Sequence, residues 1–229
     1  MASQTRITLH QLAAHVLGRR RFAVTGRFGL RPAPGGLATP AFGDPLEVVR
    51  IDADLLVHER GGEMRVEPIA TLAAAAEFVG VDLSADFSVG DETPALPALD
   101  DPLTLDGAEV RALGDWWAFG VQVIDHVVGM GTWRDAATTP QLWPEHFDVG
   151  TTVTVAGTDV NLGASPGDDF EQEPYLYVGP TTPERPGDQT YWNAPFGAVR
   201  RAADLGAADE RRLAATDFVR DGIHRFASR

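Results

Sequence analysis

The chain contains no cysteine and no lysine. Without cysteine it cannot form disulfides, thiolate zinc sites, iron–sulfur clusters or a cysteine nucleophile, so any metal site would have to use histidine and carboxylate ligands. Without lysine it cannot form a Schiff base or hold a lysine-bound pyridoxal cofactor. The remaining classes of chemistry must therefore rely on histidine, carboxylate, hydroxyl, amide and arginine groups.

Common functional and targeting patterns are also missing. We find no phosphate-binding loop with its terminal Lys, no glycine-rich dinucleotide fingerprint, no His-Glu-x-x-His and no Gly-x-Ser-x-Gly. No run approaches the ~18 apolar residues of a membrane span. Residues 1–6 lack the basic start and long apolar core of a secretion signal. These absences predict a cytoplasmic protein.

Basic residues are few relative to acidic ones. Asp and Glu number 33 against 19 basic residues, which gives a formal net charge of -14. Generic nucleic-acid binding and anionic-membrane binding both need a basic surface, so we expect neither partner. A small molecule remains a candidate partner, and the sequence leaves open whether the chain forms a homodimer.

Hydrophobic spacing predicts alternating stretches of helix and strand in the first half of the chain. Residues 8–17 predict an amphipathic opening helix, and the chain is expected to become extended from Arg21. Three β-like runs follow, at residues 47–51, 54–59 and 63–68. The Gly61-Gly62 pair predicts a tight turn between the last two.

Helix signals are stronger further along the chain. Thr71 and Gly80 bracket an alanine-rich helix as its N-cap and its terminator. Residues 82–102, rich in acidic residues and proline, predict a linker. A long helix is expected over residues 106–128, in which Trp116 and Trp117 fill core or interdomain space rather than contact a ligand.

The last third predicts short strands closed by a helix. The strand runs are residues 147–155, 160–163, 175–178 and 196–199, and the helix covers residues 207–226. Strand runs followed by separate helices favour an α+β class, with antiparallel β-sheet packed against a long central helix and a C-terminal helix. The chain is expected to form a single domain, 1–229, or two lobes, 1–81 and 103–229.

The segment His146-Phe147-Asp148 is the main candidate for chemistry. In an extended segment His146 and Asp148 project from one face, about 6–7 Å apart, which suits two ligands of one ion or a base with its orienting carboxylate. Asp168 and Glu173 would complete a divalent-metal site of His146, Asp148, Asp168 and Glu173. The alternative is that His146 anchors a strand by hydrogen bonding and that the acidic loop is solvated.

Aromatic, amide and hydroxyl groups between residues 141 and 192 predict a small-molecule pocket. Its expected ligand-binding residues are Trp143, Asn161, Ser165, Asp168, Tyr175, Tyr177 and Trp192. Two structural interpretations compete with this one. Ser165-Pro166-Gly167-Asp168 is typical turn chemistry, and the aromatic residues are equally suited to the layer between sheet and helices.

Three motifs carry a resemblance to a known family. They are Trp143-Pro144-x-His146-Phe147-Asp148, Gly163-x-Ser165-Pro166-Gly167-Asp168 and Glu173-Pro174-Tyr175-x-Tyr177-Val178. Together they resemble a family of bacterial proteins classed as a domain of unknown function, mainly over residues 141–199. The resemblance implies that the motifs belong to one recurring unit and brings no activity or cofactor with it.

Three functional hypotheses follow. The first is a small-molecule pocket, in one version a metal-assisted enzyme that uses His146 and Asp148 as its catalytic pair. The second is a non-catalytic binding or assembly module whose aromatic cluster forms an interface or core. The third is a structural polar network around His146.

Overall fold

The computed structural model describes residues 2–131, 133 and 136–227, with the backbone alone at residues 208 and 209. The predicted α+β class is confirmed, because two antiparallel sheets accompany a long helix and a C-terminal helix. Residues group into two compact units. The N-terminal unit comprises Met1–Asp115 with Leu142–Phe147, and the C-terminal unit comprises Trp116–Gln141 with Asp148–Arg229. Each unit thus combines two segments, whereas the predicted lobes are continuous in sequence.

The N-terminal unit begins with one helical rod in three parts. These are α1 (Gln4–Leu12), a π-helical segment (Ala13–Gly18) and α2 (Arg19–Thr25). The prediction that the chain becomes extended from Arg21 was wrong, because α2 continues to Thr25. A π-helical turn rotates the buried face, so the apolar period of the first turns is lost, and the buried positions of α2 are Arg19 and Arg21. Gly26, at φ 69°, ends the rod in a left-handed cap.

The N-terminal sheet is a meander of five antiparallel strands. They are β1 (Arg31–Ala33), β2 (Gly36–Ala38), β3 (Glu47–Asp52), β4 (Leu55–Arg60) and β5 (Glu63–Pro68), in that order across the sheet. Gly61 and Gly62 form the predicted turn, with φ values of 60° and 88°. The predicted alanine-rich helix is confirmed as α3 (Leu72–Val79), with Thr71 accepting the Ala74 N–H.

A buried ion pair ties this sheet to the helical rod. Glu47 is 2% exposed, and its two carboxylate oxygens accept hydrogen bonds from Arg20 at 2.7 and 2.8 Å. Burial alone would raise the pKa of Glu47, but the Arg20 guanidinium holds that pKa below its usual value. A fork of two charge-assisted bonds compensates for the loss of water around the carboxylate.

His58 extends the network towards α3. Its Nε2 lies 2.9 Å from Glu47 Oε1, and its Nδ1 lies 2.8 Å from Arg65 Nη2. Since Glu47 only accepts and Arg65 only donates, the ring fits best as a neutral imidazole with its proton on Nε2. Burial lowers the pKa of His58, in agreement with this assignment.

The predicted linker, residues 82–102, contains no helix or strand and is bound to the helical rod by side chains of the rod. His15 Nε2 lies 2.7 Å from the Pro94 carbonyl oxygen, Arg19 donates to the Ala85 carbonyl, and Gln11 donates to the Ala95 carbonyl. These contacts fix the linker although it lacks periodic structure.

The C-terminal unit is built on a second antiparallel sheet. Four of its strands pair in chain order: β7 (Asp148–Val155), β8 (Thr158–Ser165), β9 (Tyr175–Pro180) and β10 (Ala198–Arg201). The helix α4 (Gly107–Met130) and the short strand β6 (Gln141–Trp143) precede them in the chain. One-turn 3-10 helices at Gln189–Tyr191 and Ala202–Leu205 flank β10. The chain ends with α5 (Ala208–Ala227).

Aliphatic side chains of this sheet form its buried face. Leu162 and Val178 are fully buried. Trp117 is also fully buried and Trp116 is 7% exposed, which confirms that they are core residues. In the part of the chain that the structure describes, no helix combines the length and apolar character that a membrane span requires.

The neutral state of His58 makes stability depend on pH. Its pKa is lowered by folding, so the unfolded chain takes up a proton at a higher pH than the folded chain does. The stabilisation is complete above the unfolded value of about 6.5 and is lost as the pH falls towards the lowered value. We therefore expect urea unfolding to give a smaller free energy at pH 5 than at pH 7.

His58→Gln isolates this contribution, because the glutamine amide can donate to Glu47, accept from Arg65 and not titrate. The variant should lose less stability than the wild type on acidification, by up to about 1.4 kcal/mol per pH unit for one proton. His126→Gln, at an exposed position of α4, serves as the control. Equal pH slopes for wild type and His58→Gln would contradict the assignment.

Candidate functional site

Four predicted site residues form two hydrogen-bonded pairs on the face of the C-terminal sheet opposite Leu162 and Val178. Tyr177 donates from its hydroxyl to Asp148 Oδ2 at 2.5 Å, and Tyr175 donates to Asp168 Oδ2. We call Asp148, Asp168, Tyr175 and Tyr177 the tyrosine–carboxylate cluster. The cross-strand partner of Tyr177 is Gly163, and a Cβ there would overlap the tyrosine ring. Glycine at position 163 therefore lets the ring lie across the sheet.

Both tyrosines of the cluster act as hydrogen-bond donors. Burial raises the pKa of Tyr177, and the neighbouring Asp148 carboxylate raises it further. Burial also raises the pKa of Tyr175, with Asp168 contributing in the same direction. A tyrosine with a raised pKa keeps its proton at neutral pH, so neither ring is suited to act as a base. The geometry fits a structural role for the cluster.

Ser165 ends β8, and residues 166–168 begin the irregular loop before β9, where Ser165 and Asp168 make side-chain bonds to nearby backbone N–H groups. Asp168 accepts the backbone N–H groups of Phe170 and Glu171 at 2.8 and 3.0 Å. Ser165 is 3% exposed, its hydroxyl accepts the Gly167 N–H, and its carbonyl accepts the Trp116 indole N–H at 2.7 Å. These groups hold the loop before β9 in place.

Asn161 lies apart from the tyrosine–carboxylate cluster. It is exposed in β8 and accepts a 2.8 Å hydrogen bond from the Thr152 hydroxyl of its cross-strand partner. This pair stabilises the β7–β8 hairpin at the surface.

His146 lies in a turn rather than in a strand. The prediction of an extended His146-Phe147-Asp148 segment was wrong, because Phe147 adopts a φ of 57° and β7 begins only at Asp148. His146 Nδ1 lies 3.0 Å from Glu92 Oε2, while its Nε2 is 3.9 Å from Glu145 Oε2. The two ring nitrogens thus face different carboxylates. His146 belongs to the N-terminal unit and Asp148 to the C-terminal unit.

Metal ligation by His146, Asp148, Asp168 and Glu173 stays a prediction. Within residues 2–131, 133 and 136–227, no three His, Asp or Glu side chains form a group that could hold an ion. Glu173 is exposed. Asp148 and Asp168 accept tyrosine hydroxyls, so part of their acceptor capacity is already used.

The two tryptophans expected in the pocket lie in different units. Trp143, in the N-terminal unit, meets the Phe28 ring edge-on at a centroid distance of 6.3 Å. Trp192, in the C-terminal unit, packs against Phe226 of α5 at 5.8 Å and donates its indole N–H to the Pro186 carbonyl at 3.0 Å. Trp192 therefore anchors the loop before β10 to the terminal helix.

A surface groove in the C-terminal unit was not predicted as a whole. It has a volume of about 480 Å³ and lies among the 3-10 turn Gln189–Tyr191, β10, the 3-10 turn Ala202–Leu205 and α5. Its lining residues are Thr190, Tyr191, Asn193, Val199, Arg200, Asp204 and Phe218. The cluster of polar and aromatic residues from Tyr191 to Gly197 is the sequence signal closest to it.

One wall of the groove is aromatic. The Tyr191 ring stacks on Phe218 at 5.5 Å, and the Arg225 guanidinium lies 4.2 Å from its centroid. The Tyr191 hydroxyl donates to the Phe218 carbonyl at 2.8 Å. The ring stacking and this hydrogen bond fix the orientation of the Tyr191 ring, which forms this wall of the groove.

The groove is also lined by polar side chains. The Asn193 amide donates to the Val199 carbonyl and accepts the Val199 N–H, at 3.1 and 2.8 Å. Arg200 donates from Nε and Nη2 to the Asp204 carbonyl, at 3.3 and 3.0 Å. The guanidinium is thereby held at the groove with Nη1 as a further donor.

Comparison of the chain with known proteins finds no matching protein family, curated protein or solved structure. The resemblance to a bacterial domain of unknown function stays a prediction.

The packing of Tyr177 over Gly163 predicts a steric effect on stability. Gly163→Ala should lower the free energy of unfolding by about 1–3 kcal/mol, because the new methyl group displaces the ring. Gly129→Ala is the matched control, since a Cβ at that exposed helical position has open space around it. Denaturant unfolding measures both. An unchanged stability of Gly163→Ala would contradict the packing.

Proposed function

We propose that the protein binds a small molecule in the groove of its C-terminal unit. The observation that carries this proposal is a cavity of about 480 Å³ with aromatic and polar walls. Ligand sites in proteins have volumes of about 300–1,000 Å³ and combine apolar surface with a few positioned polar groups. The groove meets both criteria.

The lining residues define the chemical class of the ligand. Phe218 and Tyr191 offer apolar ring surface, while Arg200 and Asp204 add one positive and one negative charge. The net charge of -14 disfavours free anions near the surface. The ligand is therefore a zwitterion with an aromatic or aliphatic body, whose anionic group pairs with Arg200 and whose cationic group pairs with Asp204.

Binding without catalysis is the version that the geometry favours. In the tyrosine–carboxylate cluster, one oxygen of each carboxylate already accepts a tyrosine hydroxyl, and both tyrosines act as donors. The metal-assisted enzyme remains a separate hypothesis, for which elemental analysis is the test: His146→Ala would lose a metal that the wild type contains. We also propose that the protein acts in the cytoplasm.

Arg200→Ala tests the proposed function. In an NMR titration of the wild type with phenylalanine, benzoate and benzylamine, we expect phenylalanine to bind most tightly, because it matches both charges of the groove. Arg200→Ala should weaken phenylalanine binding by roughly tenfold or more, since a hydrogen bond to a charged group contributes about 1.5–3 kcal/mol.

Arg212→Ala is the matched control, because Arg212 is an exposed arginine of α5 outside the groove lining. Its affinity for phenylalanine should equal that of the wild type. Shift changes confined to residues outside the groove, or equal affinities in wild type and Arg200→Ala, would contradict the proposed function.

A further inference from the structure

Strand β5 forms an exposed edge of the N-terminal sheet. All six of its residues are exposed, and its apolar side chains Met64 and Val66 are 62% and 46% exposed. Strand β4 pairs with one side of β5, and the other side ends the sheet. A six-residue edge strand with exposed apolar side chains is a template for pairing with another strand.

The hairpin pattern shows which backbone groups point away from β4. The two-residue turn makes Arg60 and Glu63 a hydrogen-bonded pair. The bond from the Ile69 N–H to the Asp54 carbonyl fits the same alternation. The N–H and C=O groups of Met64 and Val66 therefore face outward. Among the described residues, none forms a backbone hydrogen bond with them.

A second copy of β5 is complementary to the first in one antiparallel register. When the two-fold axis passes through Val66, the outward N–H and C=O groups of Val66 in the two copies bond to each other. The Met64 N–H of each copy then meets the Pro68 carbonyl of the other. Arg65 lies opposite Glu67 in both directions, and Met64, Val66 and Pro68 of both copies share the other face.

Neighbouring registers are less favourable. An axis through Arg65 places Arg65 opposite Arg65 and Glu63 opposite Glu67, so like charges meet. An axis through Met64 requires Gly62 to pair with Val66, but Gly62 has a φ of 88° in the turn and cannot continue a strand. Charge and backbone conformation thus select the Val66 register.

We propose that two copies of this chain associate through β5, antiparallel about Val66, and join their N-terminal sheets into one continuous sheet. The inference is independent of the proposed ligand groove, which lies in the C-terminal unit. Backbone bonds provide the attraction. The register follows from the opposition of Glu67 to Arg65, whose Nη2 keeps its bonds to His58 and Phe78 while its other guanidinium N–H groups face the partner carboxylate.

Val66→Pro tests the association. Because the Val66 N–H points away from β4, proline removes an intermolecular donor and no bond of the β4–β5 ladder, and proline is tolerated at such edge positions. Light scattering should give twice the 24.6 kDa chain mass for the wild type and the single chain mass for Val66→Pro. Val66→Thr keeps the N–H and should remain a dimer. Circular dichroism checks that all three are folded.

Engineered cysteines test the register, since the native chain contains none. Val66→Cys should cross-link on mild oxidation, because paired Cα atoms about 5.5 Å apart suit a disulfide. Glu67→Cys is the control, since its two copies are offset by about 7 Å along the strands. A monomeric wild type at high micromolar concentration, or a dimeric Val66→Pro, would overturn the association. Cross-linking of Met64→Cys or Glu67→Cys in place of Val66→Cys would overturn the register.

Discussion

The C-terminal unit depends on a close approach of α5 to the sheet at Gly222. A Cβ at this position would overlap the Tyr191 hydroxyl and the Val178 methyl groups. Because glycine lacks that atom, Tyr191 reaches over the helix and donates to the Phe218 carbonyl. Burial raises the pKa of Tyr191, so the hydroxyl keeps the proton that this bond needs. The aromatic wall of the groove follows from this one contact.

The edge strands β10 and β5 differ in whether their outward backbone groups are hydrogen-bonded. Each of the two proposals concerns one of these edges. At β10, the Asn193 amide occupies the outward N–H and C=O of Val199, so a side chain takes the place of a neighbouring strand. At β5, none of the described residues provides an equivalent partner. A blocked edge next to a groove suits small-molecule binding, whereas an open edge with reciprocal charges suits another strand. The two proposals thus concern different units and different chemistry.

The sequence correctly predicted the elements whose ends are set by a capping residue or a glycine turn. Thr71 and Gly80 bracket α3, and Gly61-Gly62 forms the turn between β4 and β5. The extension of the first helix to Thr25 was missed because its π-helical segment changes the period of buried positions. His146 was placed on a strand because residue type gives no sign of the positive φ at Phe147.

The candidate site was harder to predict because it is assembled from distant parts of the chain. The density of polar and aromatic residues identified residues 141–192, and Ser165, Asp168, Tyr175 and Tyr177 do lie close together, at the end of β8, in the loop that follows and on β9. The groove instead combines Tyr191 with Arg200 and Phe218, which only folding brings together. The spacing of these residues along the sequence does not indicate that they meet in the folded chain.

A crystallographic screen with small aromatic zwitterions, anions and cations tests the central claim most directly. The account predicts that zwitterions such as phenylalanine bind in the groove, with the ring on Phe218 and the carboxylate at Arg200. An empty groove in crystals where it is open to solvent, with the same compounds bound elsewhere on the protein, would contradict it.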